Sequence, residues 1–228
     1  MKTKLHQYIE EELAKRKTDY LSSPDYLLEH YRIEKQNIEA YNGRQFLEML
    51  QNADDACETA VEKKVLIRLS ENELAIANYG EPFTQEGFRS ILYSNLSSKT
   101  IQKNKIGHKG LGFRSILSWA DEVTINSGGT AVSFSEDIAS SFLQELTTVS
   151  DKVAGIVLEF TKEIKSGDLP IAVLRVPKLL PQSIDCQSKY DTTITIKLKE
   201  NILDEVQEQI LAMIYEMKVV LIFNYFVT

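Results

Sequence analysis

The stretch RQFLEMLQNADDAC, residues 44 to 57, limits the fold most because two opposed stripes run along it. Four apolar residues share one side of a helix with about 3.6 residues per turn: Phe46, Leu50, Ala53 and Cys57. Three polar residues fall on roughly the opposite side: Glu48, Asn52 and Asp55. Such a helix ordinarily turns its polar side to water, and the alternative is that this side faces a ligand. The pattern predicts a helix that runs to about residue 62 and buries its apolar side.

The composition is that of a globular chain with ample material for a core. Of the 228 residues, 43% are hydrophobic and 26% are charged, which fits one large domain or two small ones. The formal net charge is −7, which argues against a surface built to coat nucleic acid. We therefore expect no direct nucleic-acid binding by this chain.

Cysteine usage favours a reducing compartment. Cys57 and Cys186 show no paired spacing, so a cytoplasmic location is the simplest expectation. The charged N-terminus is not a signal peptide, and no run is long enough to cross a membrane. The longest apolar run, residues 219 to 227, reads as a buried strand. It ends near the chain terminus without a capping turn, so we expect the chain to be the N-terminal part of a longer protein.

Helical patterns gather early in the chain and β-rich runs gather late. Further helices are predicted at residues 3–17, 25–38, 84–92, 113–120 and 203–217. Strands are predicted at residues 64–70, 73–78, 122–127, 130–135, 155–160, 171–176 and 192–198. This order favours an α+β fold with helices on one face of a largely antiparallel sheet. Residues 1–24 are expected to form a helical segment ahead of one domain over residues 25–228.

The glycine-rich stretch IGHKGLGF, residues 106 to 113, has the spacing G-x-x-G-x-G at Gly107, Gly110 and Gly112. Without Cβ atoms, such a backbone can approach an anion closely and direct successive N–H groups at it. The spacing alone is common in ordinary turns, and it is neither a P-loop nor a convincing Rossmann fingerprint. Four lysines lie in or just before it: Lys99, Lys103, Lys105 and Lys109. They form either a solvated charge run or a mobile lid over a polyphosphate.

Two shorter elements complete the set. AIANYGEPF, residues 75 to 83, leaves a strand at Asn78 and turns at Gly80, and Thr192 opens the strand in YDTTITIKL. Each has an ordinary explanation, as turn residues and as a β-forming threonine.

Together and in this order, the four elements resemble the GHKL ATPase superfamily. That superfamily includes gyrase B subunits, the ninety-kilodalton heat-shock chaperones, histidine kinases and mismatch-repair ATPases. FLEMLQNADDA is similar to its N-box, IGHKGLGF to its lid-closing glycine motif, and DTTITIKL to its final strand. YNGR at residues 41 to 44 brings the chain closest to the sacsin-type domains and the chaperone branch. The resemblance covers about residues 25 to 200 and implies a Bergerat-type two-layer α/β sandwich with a mixed, mostly antiparallel sheet.

The resemblance also implies a role for each matching residue. Glu48 would orient and deprotonate the attacking water, and Asn52 would offer its side-chain oxygen to Mg²⁺. Asp55 would lie behind the metal or beside the adenine, and Thr192 would lie on the adenine side. The other nucleotide-binding residues that the motifs imply are Asn78, Gly80, Ser98, Lys99, Gly107, Lys109, Gly110, Leu111, Gly112 and Phe113.

One departure from the family pattern lies at Asn78. The family has Asp-x-Gly-x-Gly here, whereas this chain has Asn78-Tyr79-Gly80 with Pro82 in place of the second glycine. Asparagine keeps an acceptor oxygen for the adenine amino group and adds a donor that could face adenine N1. A neutral hydrogen bond contributes about 0.5–1.5 kcal/mol and a charged one about 1.5–3 kcal/mol, so we expect about tenfold weaker ATP binding and relaxed base selectivity.

The implied function is that of an ATP-binding domain that slowly hydrolyses Mg-ATP. Hydrolysis would drive lid closure and conformational change in a larger chaperone-like or defence-type protein, with an ATP-dependent homodimer and a protein client as implied partners. Three alternatives stay open. They are a histidine kinase catalytic domain, a non-catalytic nucleotide sensor suggested by Asn78, and the ATPase module of a DNA-processing protein.

Overall fold

The computed structural model describes residues 3–58, 60–93, 112–163, 168–181 and 189–217. Within these ranges the chain is an α+β fold in which helices pack against an antiparallel sheet of six strands. The strands are Val65–Leu69 (β1), Glu73–Asn78 (β2), Ala120–Ser127 (β3), Thr130–Ser135 (β4), Lys178–Leu179 (β5) and Thr192–Leu198 (β6). The helices are Lys4–Ser22 (α1), Tyr26–Ala40 (α2), Gln45–Ala56 (α3), Gln85–Leu92 (α4), Glu136–Val149 (α5), Asp151–Glu163 (α6) and Leu203–Met217 (α7). Two 3₁₀ helices cover Gly112–Ser118 and Val173–Arg175. The predicted fold class is therefore confirmed.

The strand order β1-β2-β6-β3-β4-β5 puts a late strand at the centre of the sheet. Strand β6 pairs with β2 on one side and with β3 on the other, and both pairings are antiparallel. Thr192, the first residue of β6, lies opposite Asn78 on β2 and opposite Ser127 on β3. Three polar side chains from distant parts of the sequence thus meet at one edge of the sheet.

Helix α3 ends at Ala56, earlier than the predicted end near residue 62. Phe46, Met49 and Ala53 are buried, so the apolar side packs inward as the pattern predicts. The helix stops because the turn after β2 packs across its C-terminal end. There the N–H of Glu81 donates to the carbonyl oxygen of Ala56 at 3.0 Å.

Two predicted strands are wrong. Residues 155–160 lie inside helix α6, and residues 171–176 contain a 3₁₀ helix instead of a strand. A short apolar run fits a buried helix as well as a strand, and in α6 only Val153 and Phe160, seven positions apart, are buried.

The sequence pattern also missed helix α5 and misjudged several helix ends. The N-cap of α5 is Ser135, whose hydroxyl accepts from the N–H of Ile138 at 3.1 Å, followed by two acidic residues in the first turn. Helix α1 extends to Ser22, beyond the predicted end at residue 17, and the predicted helix at residues 113–120 is a 3₁₀ helix followed by β3. The predicted strand at residues 219 to 227 lies outside the described residues.

Two apolar cores hold the elements together. The larger core lies between the sheet, α3 and the first 3₁₀ helix, and it includes Phe46 and Trp119. The smaller core lies among α1, α2, α5 and α6, and Tyr20 is part of it. Helix α1 contributes to both, since Leu5 and Ile9 belong to the larger core. None of the helices in the described part of the chain has the length and apolar character needed to span a membrane.

Candidate active site

A cavity of about 150 Å³ lies between α3, α4 and the ends of β2 and β6. Five of the residues predicted from the sequence line it: Asn52, Asp55, Asn78, Phe113 and Thr192. They come from four separate elements, so the fold brings together side chains that are up to 140 positions apart in the chain. A second cavity, of about 400 Å³, lies beside α2 and α5, and none of the predicted residues lines it.

The sheet edge forms a polar floor on one side of the smaller cavity. The hydroxyls of Thr192 and Ser127 share a hydrogen bond of 2.7 Å, and Ser127 Oγ also accepts from the N–H of Phe83 at 2.8 Å. Both hydroxyl residues are buried. Because the Ser127 oxygen already accepts a hydrogen bond from the Phe83 N–H, its own hydrogen can be donated to Thr192, whose hydrogen can then point to a ligand. The arrangement makes Thr192 suited to donate to a ring nitrogen.

Asn78 is buried beside Thr192, and its amide is fixed by a neighbouring carbonyl. The Nδ2 atom donates to the carbonyl oxygen of Tyr79 at 3.1 Å. One of the two amide hydrogens that could have faced a nucleobase is thus used within the protein. The thiol of Cys57 donates to the same carbonyl at 2.9 Å, which ties this strand end to the end of α3. The oxygen is the more suitable ligand contact that Asn78 retains.

Gly80 supports the site through packing, and it is not among the residues that line the cavity. Its φ is +125°, and a Cβ there would overlap the carbonyl oxygen of Ala56 and lie 2.7 Å from its carbonyl carbon. Its N–H donates to Asp191 Oδ2 at 2.9 Å. Glycine is needed here because two backbones touch, the turn after β2 and the end of α3.

Glu48 lies one turn from Asn52 along α3 and touches Gly112. A Cβ on Gly112 would overlap the Glu48 carboxylate and approach its Cγ to 2.5 Å. The Glu48 side chain keeps 16% of its surface exposed, and Arg44 Nη2 lies 3.7 Å from its Oε1. The last glycine of the glycine-rich stretch therefore meets the carboxylate predicted to act as the base.

A network of side chains fixes the start of α3 relative to α7 and the first 3₁₀ helix. The Gln209 amide donates to Gln45 Oε1 at 2.9 Å and accepts from the N–H of Phe46 at 3.3 Å. Gln45 also donates to Ser118 Oγ at 3.0 Å, and it is fully buried. These bonds hold Glu48 and the segment that begins at Gly112 in a defined relation.

Buried charge anchors the same 3₁₀ helix to α4. Arg114 is buried and donates through Nη2 to the carbonyl oxygen of Ile91 at 2.6 Å. Burial lowers the pKa of Arg114 to about 10, although the nearby Glu34 carboxylate opposes that shift. The Glu34 carboxylate accepts from the backbone N–H groups of Val173 and Leu174 at 2.6 and 3.0 Å. Arg114 thus links the first 3₁₀ helix to α4, and Glu34 links α2 to the second 3₁₀ helix.

The oxygen donors at the cavity suit a magnesium ion that is carried by phosphates. Asn52 offers an amide oxygen and Asp55 a carboxylate, and Mg²⁺ prefers oxygen ligands while keeping several waters. Among the described residues, no cluster of three or more His, Cys, Asp or Glu side chains could hold a metal by itself. Asn52 and Asp55 could each contribute one oxygen ligand to a metal ion.

Six of the predicted nucleotide-binding residues lie outside the described residues. They are Ser98, Lys99, Gly107, Lys109, Gly110 and Leu111. Two residues that support the site, Ser127 and Asp191, were not predicted from the sequence. Ser127 carries only the weak signal of a polar residue before the Gly128-Gly129 turn.

Comparison of the chain with protein-family models and with curated proteins gives no match.

Proposed function

We propose that this chain is a nucleotide-binding domain that binds Mg-ATP and hydrolyses it slowly. In this proposal, ATP binding and hydrolysis drive lid closure and conformational change in a larger chaperone-like or defence-type protein of the cytoplasm. Its partners would be ATP and ADP, a protein client and, with ATP bound, a second copy of the chain.

One observation carries the proposal: the cavity brings together Asn52 and Asp55 with Asn78 and Thr192. The first two match the polar residues of an N-box, and the other two match the adenine side of the GHKL site. This meeting requires the non-consecutive pairing of β2 with β6, so it is independent of the sequence spacing that suggested each motif.

The sheet edge suits an adenine base. The Asn78 oxygen accepts hydrogen bonds, and the adjacent Thr192 hydroxyl can donate. Adenine presents an amino donor next to the N1 acceptor, whereas guanine presents the opposite order. Asn78 and Thr192 together therefore favour a 6-aminopurine. The contact with Asn78 lacks the charge that an aspartate would supply.

The opposite end of α3 suits hydrolysis. Glu48 is the residue that would take a proton from the attacking water, and the lack of a side chain at Gly112 leaves room for its carboxylate. When bound, Mg²⁺ would neutralise phosphate charge, and Asn52 would hold it through an amide oxygen. Catalysis then consists of positioning and charge neutralisation with little covalent chemistry by the protein.

A non-catalytic nucleotide sensor is the second candidate, and Asn78 favours it. The replacement of a carboxylate by an amide weakens the expected affinity, and one amide hydrogen is engaged by Tyr79. A sensor would bind ATP and undergo the conformational change without turnover. An ATPase module of a DNA-processing protein would need a nucleic-acid surface elsewhere in the protein, since this chain is acidic.

Calorimetric titration of the purified chain with ATP and ADP, each with and without Mg²⁺, tests the proposal. We expect both nucleotides to bind, ATP more tightly with Mg²⁺, and a malachite-green assay to detect slow phosphate release. Binding without turnover would select the sensor, and binding of neither nucleotide would overturn the proposal.

A further inference from the structure

Arg44 lies beside the Glu48 carboxylate at the start of α3 without forming a close hydrogen bond to it. The distance of 3.7 Å between Arg44 Nη2 and Glu48 Oε1 exceeds the ordinary hydrogen-bond length. The Arg44 side chain is 57% exposed, whereas that of Glu48 is 16% exposed. Charge therefore holds the guanidinium near the carboxylate, and its planar set of N–H donors has the geometry to bind a second anion such as a phosphate.

Arg44 is the residue just before α3, at the opposite end of that helix from Asp55. Asp55 lines the cavity together with Asn78 and Thr192. Arg44 lies eleven positions before Asp55, which is about 16 Å along the helix axis at about 1.5 Å per residue. A nucleotide with its base at the sheet edge and its phosphates along α3 brings its terminal phosphate toward Glu48 and Arg44.

We propose that Arg44 makes the site selective for nucleoside triphosphates over diphosphates. Without nucleotide, the guanidinium pairs with Glu48. When a triphosphate binds, the guanidinium turns to the terminal phosphate, which carries more negative charge than one carboxylate and matches the planar donor set of arginine. Once the guanidinium has moved to the phosphate, the Glu48 carboxylate can accept a proton from the attacking water. This inference rests on the proposed nucleotide-binding function and assigns a specificity-determining residue within it.

The ordinary explanation of this contact is an ion pair between residues i and i+4 that supports the helix. Such pairs stabilise a helix slightly and would leave nucleotide affinity unchanged when they are removed. The two explanations therefore differ in whether substitution of Arg44 weakens the binding of a triphosphate more than that of a diphosphate. A comparison of tri- and diphosphate binding separates them without any need for turnover.

The test is calorimetric titration of the wild type and of Arg44→Gln with Mg²⁺-AMP-PNP and Mg²⁺-ADP. We expect Arg44→Gln to bind AMP-PNP about 10- to 100-fold more weakly, the range for loss of a charged hydrogen bond. ADP affinity should change less than about twofold. Arg44→Lys should recover part of the AMP-PNP affinity because it restores the charge without the planar donor set.

Arg68→Gln is the matched control. Arg68 is 68% exposed and pairs with Glu73 at 2.8 Å on the β1–β2 hairpin, so its substitution changes net charge equally and leaves the pair of Arg44 with Glu48 intact. Thermal unfolding checks that Arg44→Gln stays folded, which we expect because the Arg44 side chain forms no capping hydrogen bond to α3.

A double substitution tests the exchange between the two anions. Glu48→Gln removes the ion pair with Arg44, so AMP-PNP should bind more tightly to the Glu48→Gln protein than to the wild type. This gain in affinity should disappear in Arg44→Gln/Glu48→Gln. Equal weakening of both nucleotides by Arg44→Gln, or no weakening, would overturn the role of Arg44 while the proposed function stands. If the wild type binds neither nucleotide, the proposed function and this inference fail together.

Discussion

The carboxylate of Glu48 lies directly against the α-carbon of Gly112, so no larger residue fits at position 112 unless Glu48 moves. This contact joins helix α3 to the end of the glycine-rich stretch. A larger residue at position 112 would crowd the Glu48 side chain, which can rotate away. Such a substitution should therefore displace the carboxylate and have little effect on stability.

Gly112→Ala should therefore impair hydrolysis more than stability. We expect phosphate release to fall about 100-fold, the loss typical of a catalytic group displaced by about 1 Å, with ADP affinity retained. Glu48→Ala should give the same retention of binding and a loss of about 10²–10⁴ in rate, as for removal of a general base. Phosphate-release assays and ADP titrations check both variants. Unchanged hydrolysis in Glu48→Ala would remove Glu48 from the mechanism.

Gly80→Ala should have the opposite effect, because the atoms that a methyl group would meet at Gly80 are backbone. The residue also has φ of +125°, which side-chain-bearing residues rarely adopt. Backbone strain and overpacking each cost about 1–3 kcal/mol, so the free energy of unfolding should fall by about 2–6 kcal/mol.

Gly155→Ala is the matched control for that substitution. Gly155 lies exposed in helix α6 with nothing within 4 Å of a Cβ built there, so alanine should stabilise the protein by about 0.5–1 kcal/mol. Urea unfolding measures both variants. A Gly80→Ala protein as stable as the wild type would mean that the turn and α3 do not pack as closely as described.

The polar side of α3 was predictable from sequence because helical spacing is local. Glu48, Asn52 and Asp55 are three or four positions apart, and a period of about 3.6 residues is enough to put them on one side. The meeting of Asn78 with Thr192 depends instead on which strands become neighbours. No local pattern specifies that β6 inserts between β2 and β3, and only the family resemblance anticipated that Thr192 belongs to the site.

The failures have the same physical origin. Ser127 joins the site through the register of β3 with β6, which the spacing of its own strand does not reveal. GIVLEF is apolar enough for a strand, but the segment folds as helix α6 because two buried residues seven positions apart give it one inward face. Local propensity does not decide such segments when tertiary packing favours the other structure.

Asn52→Ala should remove the Mg²⁺-dependent part of ATP affinity. We expect ATP titrations with and without Mg²⁺ to give the same dissociation constant in this variant, whereas Mg²⁺ strengthens binding in the wild type. Gln51→Ala is the matched control, because Gln51 is exposed on the same helix and one position away. A persistent Mg²⁺ effect in Asn52→Ala would assign the metal contact to another residue.

Thr192→Val should weaken ATP binding through one neutral hydrogen bond. Valine keeps the shape of threonine but removes its hydroxyl, and with it the 2.7 Å bond to Ser127 and the donor proposed to contact the base. Affinity should fall about 2- to 12-fold, equivalent to about 0.5–1.5 kcal/mol, and the preference for ATP over GTP should shrink. Thr195→Val is the control, since Thr195 is on the same strand and does not line the cavity. If GTP binds the wild type as tightly as ATP does, Asn78 and Thr192 do not select the base.

His30 gives the protein a stability that declines on acidification. Its Nδ1 shares a 3.0 Å hydrogen bond with Tyr20, and burial, with Arg175 and Arg16 nearby, lowers the His30 pKa to about 3. In the unfolded chain the pKa is about 6.5, so below that pH the unfolded state binds a proton that the folded state does not. The free energy of unfolding should therefore decrease as pH falls from about 6.5 toward 3. His30→Gln should lack this component. Urea unfolding at pH 7.5 and 5.0 compares the two proteins, and a folded-state His30 NMR titration with a midpoint near 6.5 would contradict the expected neutral imidazole.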